Sequence, residues 1–152
     1  MTSRMKIVAA FAVAVVVVSL ASPPPRSDAP DRPLLTGARI DPPVLALFQR
    51  ACQDCHSEKT RFPWYSYVAP VSLLVRHDVV RGRGWLNLSR WSEYPLVRQQ
   101  RLLSEIANQV EDREMPLRQY TLIHPGARLS DAEVEAIFRW TQEERARLIA
   151  GR

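Results

Sequence analysis

The sequence predicts a small all-α domain, and three observations carry that expectation. Apolar residues recur at helical spacing in three stretches, at about residues 44–52, 71–81 and 94–111. A fourth stretch opens with Ser130-Asp131-Ala132-Glu133, a capping box, and continues with Val134, Ile137, Phe138 and Thr141 on one side. Between the first two stretches lies Cys52-Gln53-Asp54-Cys55-His56, which holds both cysteines of the chain.

The elements follow in order. Residues 1–21 carry Arg4 and Lys6, an apolar run over residues 7–18, and the small residues Ser19 and Ala21 at cleavage-compatible positions. That is the layout of an export signal, and an uncleaved membrane anchor is its alternative. Residues 7–21 as helix rise about 22 Å, short of a hydrocarbon slab of roughly 30 Å, which tips the reading towards cleavage. Either way the remainder is expected outside the cytoplasm, periplasmic and either soluble or tethered to the inner membrane.

Residues 22–40 read as a proline-rich tether, since seven of the twelve prolines fall between residues 23 and 43. The folded part is then 41–150. Net charge is +5, with acids and bases interspersed. That pattern speaks against a nucleic-acid surface, which needs clustered basic residues, and for an anionic partner surface.

Asp41-Pro42-Pro43 starts a helix, with Asp41 able to cap and proline accepted in the first turn. Val44, Leu45, Phe48 and Cys52 then place the cysteines at the end of a short amphipathic helix. A polar turn over residues 57–61 leads to Phe62-Pro63-Trp64-Tyr65-Ser66-Tyr67. Arg61, Trp64, Tyr65 and Tyr67 are candidate hydrogen-bond donors to a bound group, with ordinary core aromatics as the competing reading. The next helix covers residues 71–81 and is expected to break at Gly82 and Gly84. After the helix over residues 94–111, Glu114-Met115-Pro116-Leu117 begins a long non-helical loop through Tyr120 and His124.

The chemistry rests on C-x-x-C-H. Two thiols three residues apart can each add to one vinyl group of a porphyrin, and the following imidazole is carried to the iron as an axial ligand. Cys52 and Cys55 are thus the expected covalent anchors of one haem c, with His56 as proximal ligand. A disulfide, a redox dithiol or a Cys/His metal site are the alternatives. His56 needs an acceptor for its other ring nitrogen, and the carbonyl of Pro63 is a candidate. Met115 is the favoured sixth ligand, because a thioether reaches iron without losing a proton. His124, His77 and an open position compete with it.

Those residues, with Phe62-Pro63-Trp64-Tyr65-Ser66-Tyr67-x-Ala69-Pro70, Glu114-Met115-Pro116-Leu117 and Tyr120-Thr121-Leu122-x-His124-Pro125, resemble the bacterial haem-binding domain family, a c-type cytochrome-like branch. The resemblance spans about residues 44–140. It implies a cytochrome c-like helical fold around one covalent haem in an exported protein, with Met115 as axial ligand. One-electron transfer with an unidentified redox partner protein is the expected role, an electron carrier rather than a catalyst. The alternative is a gas- or peroxide-binding sensor or enzyme with a displaceable sixth ligand. The terminal helices of the folded part should meet, with Phe48 near Ile137, Phe138 or Trp140.

Overall fold

In a computed structural model of the chain, which describes residues 2–21, 23 and 32–151, every regular element is a helix. Helix α1 is Ser3–Ala21, α2 Pro42–Ala51, α3 Gln53–His56, α4 Val71–Trp85, α5 Leu96–Glu111, α6 Arg118–Ile123 and α7 Asp131–Ala150. Short 3₁₀ turns at Trp64–Tyr67, Leu88–Glu93 and Pro125–Ala127 link them. The all-α expectation therefore holds.

Helix α1 buries no residue, and by length and composition it can cross a membrane. Its 19 residues rise about 28 Å, more than the 15-residue run suggests, because Ser3, Arg4, Met5 and Lys6 join the helix. That fits a signal or an anchor.

The core is built where α5 packs along α7, with Leu102, Leu103, Ile106 and Val110 of one meeting Val134, Ile137, Trp140 and Leu148 of the other. Helix α2 closes over α7. The Phe48 and Trp140 rings meet edge to face with centroids 5.1 Å apart, so the expected contact of these helices is present.

The tether reading fails for its last part. Leu34 and Leu35 are buried in the core, the Leu35 N–H donates to the Leu88 carbonyl at 2.9 Å, and the Trp140 indole N–H donates to the Arg39 carbonyl at 2.9 Å. Two leucines suffice to tie a proline-rich strand down once a hydrophobic groove receives them. Residues 22 and 24–31 of the expected tether lie outside the described residues.

Local chemistry explains the ends of the helices. Asp41 stands at the N-cap of α2, yet its side chain makes no capping bond. Pro42 and Pro43 occupy the first two helical positions, so one of the N–H groups a cap would serve is missing. The capping box of α7 is complete, Ser130 Oγ accepting from Glu133 N–H and Glu133 reaching back to Ser130 N–H at 2.8 Å. The Ser130 N–H holds the Glu133 carboxyl below its usual pKa.

Helix α5 begins after Pro95 rather than at Tyr94. Its end is a Schellman turn: Arg113 N–H donates to the Val110 carbonyl and Glu114 N–H to that of Gln109, with Arg113 left-handed at φ 60°. The Arg113 guanidinium donates to the Leu129 carbonyl at 2.8 Å and pairs with Asp131. Met115 emerges from this turn. The loop expected after it is not wholly irregular, since Arg118–Ile123 forms a helix.

Candidate functional site

The attachment motif straddles two helices. Cys52 ends α2, donating its N–H to the Phe48 carbonyl, and is also the residue from which α3 starts, its own carbonyl accepting from His56 N–H at 2.9 Å. Cys52, Cys55 and His56 thus lie within one helical turn. Both thiols are free.

Helix α4 and the residues after it hold this turn in place. Gly82 lies where a Cβ would come within 2.7 Å of the Cys55 carbonyl oxygen, so α4 and α3 touch backbone to backbone. Far from breaking α4, Gly82 and Gly84 lie within it; the packing at Gly82 outweighs glycine's low helix propensity. The Arg83 guanidinium donates to the Ser57 carbonyl and to Thr60 Oγ1, each at 2.8 Å. Glu58 N–H donates to Ser89 Oγ at 3.1 Å, and the Glu58 carboxylate pairs with Arg90 at 2.6 Å.

The His56 ring is fixed by the same segment. Its Nδ1 lies 3.1 Å from the Leu86 carbonyl oxygen, so Leu86, and not Pro63, supplies the acceptor. Pro63 is engaged elsewhere, its carbonyl accepting from Ser66 N–H and Ser66 Oγ. A proton on Nδ1 leaves the Nε2 lone pair available to a metal. Burial lowers the His56 pKa, opposed by the carbonyls of Leu86 and Gly82. The neutral form of the ring is therefore favoured.

Burial pushes the Cys52 thiol up to about 12 and the Cys55 thiol up to about 11. A redox dithiol depends on a lowered thiol pKa, which this environment opposes. Among the described residues, no three His, Cys, Asp or Glu side chains converge to hold a bare metal ion. Two protonated thiols beside an imidazole with one nitrogen committed are a donor set that fits a covalently tethered haem. As thioethers, both sulfurs are neutral and lose nothing by burial.

The three candidates for the sixth position stand in different surroundings. His77 is exposed on α4 with Nδ1 3.1 Å from Asp78 Oδ1. His124 is stacked on Tyr120 with ring centroids 4.4 Å apart, and its Nε2 is hydrogen-bonded to the Tyr65 hydroxyl. Met115 is half-buried, and its backbone N–H donates to the Gln109 carbonyl at 3.0 Å.

The aromatic stretch is not core. Trp64 is 78% exposed and Tyr67 52%, whereas the buried aromatic between Phe62 and Trp91 is Trp91 itself. Of the candidate donors, Arg61 is engaged by Asp54, its backbone N–H at 3.2 Å and Nε at 3.3 Å from Oδ1, and Tyr65 by His124.

Sequence reasoning missed Gly82, Arg83, Leu86, Asn87, Ser89 and Arg90 as the bed of the motif. The available signal was Asn87-x-Ser89, in which Asn87 Oδ1 caps the 3₁₀ turn by accepting from Ser89 N–H at 3.0 Å.

A family model described as a haem-binding domain matches residues 12–143. The cytochrome c peroxidase Ccp of Escherichia coli (strain K12) is 27% identical over 107 residues. That match covers 68% of this chain and 23% of the relative, so the chain spans about a quarter of its length. No solved structure matches. With the family model running from within α1 to within α7, over far more than half of the sequence, the chain belongs to the haem-binding domain family.

Proposed function

We propose that the protein carries one covalent haem, bound through Cys52 and Cys55 with His56 and Met115 as axial ligands, and transfers single electrons outside the cytoplasm to an unidentified redox partner. The observation that carries this reading is the His56 ring, half-buried, with Nδ1 committed to the Leu86 carbonyl beside two free thiols. When bound, the haem supplies an iron that cycles between two oxidation states. Leu86 orients the imidazole, Gly82 lets α4 close on the motif, and Arg83 and Arg90 pin the turn behind it. No step requires a proton from the protein. An N-terminal helix able to cross a membrane supports export or tethering at a membrane surface.

The similarity to a cytochrome c peroxidase favours a second reading, in which Met115 would be a displaceable ligand and the haem could bind a peroxide. An optical spectrum of the exported protein, oxidised, reduced and under carbon monoxide, separates the two. Electron transfer predicts a six-coordinate low-spin ferric form with a weak sulfur-to-iron band and a reduced form inert to carbon monoxide. Rapid carbon monoxide binding with no sulfur band would overturn it in favour of an open or exchangeable site.

A further inference from the structure

The segment that carries Met115 is tied to the attachment motif by side chains other than the four proposed to hold the haem. Helix α6 begins immediately after Met115-Pro116-Leu117, and Thr121 N–H donates to the Leu117 carbonyl at 3.0 Å. From α6 the Tyr120 hydroxyl donates to Asp54 Oδ2 at 2.8 Å, and Asp54 lies between Cys52 and Cys55. The other carboxylate oxygen is taken by Arg61, so Asp54 is held from both sides. The ring of Tyr120 stacks on His124, whose Nε2 bonds the Tyr65 hydroxyl in the Trp64–Tyr67 turn. Two hydrogen bonds and one ring stack thus bridge the Met115 segment to the covalent anchor and to the aromatic stretch.

We propose that this bridge is a clasp and that Tyr120 is a positioning residue for the sixth ligand, fixing where the Met115 thioether stands relative to the group held by Cys52, Cys55 and His56. The inference rests on the His56/Met115 ligation given above. Burial and then the Asp54 bond raise the Tyr120 pKa, so the hydroxyl keeps its proton and remains a donor. A donor to a carboxylate is among the stronger hydrogen bonds, and its loss releases the segment at one end.

Tyr120→Phe tests this, because it keeps the ring and its stack on His124 and removes a single hydroxyl. The expected result is a weakened sulfur-to-iron band and carbon monoxide binding by the reduced protein where the parent is inert, as the open fraction rises about tenfold. Asp54→Ala should do the same, whereas Asp54→Asn, which keeps an acceptor oxygen for Tyr120, should return most of the parent's behaviour. A merely structural role would lower the thermal midpoint and leave the band and the carbon monoxide affinity unchanged. That outcome in Tyr120→Phe overturns the clasp while leaving the ligation intact. Should Tyr120→Phe not accumulate, the Asp54 pair decides: equal carbon monoxide affinity in Asp54→Ala and Asp54→Asn overturns the clasp. A parent that lacks the sulfur band overturns the ligation and the clasp with it.

Discussion

Met115→Ala is expected to convert a protein inert to carbon monoxide into one that binds it as soon as it is reduced. The substitution removes the only sulfur of the 114–117 segment and leaves His56, its bond to Leu86 and both cysteines untouched. The ferric spectrum should lose its weak sulfur-to-iron band and move away from the six-coordinate low-spin form. The reduction potential should fall, since thioether ligation raises it. Met115 is only half-buried, so the cost to folding should lie below the roughly 2–5 kcal/mol of a fully buried methionine truncated to alanine. The spectral change is therefore separable from unfolding. A variant with the parent's spectrum and the parent's inertness would place the sixth ligand elsewhere, and His124 would be next.

Gly82→Ala should be the most damaging one-methyl change in the protein. The added carbon would stand 2.7 Å from the Cys55 carbonyl oxygen and 3.2 Å from its carbon, both backbone atoms that cannot rotate away. Either α4 or α3 must move, and the turn of α4 that moves leads into Arg83 and Leu86, which hold Ser57 and His56. Overpacking of this kind costs about 1–3 kcal/mol, of which alanine's better helix propensity returns up to roughly 1 kcal/mol. Haem content per chain should fall with stability. Gly84→Ala is the internal control, because a Cβ there meets nothing within 4 Å and should leave stability unchanged or raise it by up to about 1 kcal/mol. Urea midpoints and haem-to-protein ratios of the two variants check this. Equal behaviour would mean that α4 and α3 are not in the tight contact described.

How much of this was legible in the residues depended on the range of the interaction. Helices with a strong local signature were readable, as the capping box at Ser130 and Glu133 and the spacing of Leu103, Ile106 and Val110 show, and so was the meeting of the terminal helices, with Phe48 expected near Ile137, Phe138 or Trp140. Cys52, Cys55 and His56 stood out because the proposed haem attachment needs two cysteines and a histidine in a fixed order. Leu34 and Leu35 did not, since a proline-rich context conceals two leucines whose partners are Leu88 and the α7 face more than 50 residues away. Gly82 was misread for a related reason. A glycine within a helical pattern reads locally as a breaker, and only the approach of Cys55 reveals why it is there. The Leu86 carbonyl carried no side-chain signal at all, being a backbone group 30 residues from the ring it orients. The helical turn that carries Tyr120 to Asp54 was likewise hidden in a stretch with too few residues to display a period.

The intact mass of the exported protein, measured after denaturation, tests the covalent attachment most directly. The chain should be heavier than its polypeptide by one haem, with the colour following the protein through a denaturing gel, and with both signals lost when Cys52 and Cys55 are replaced by alanine. A colourless chain at the mass of the bare polypeptide would contradict it.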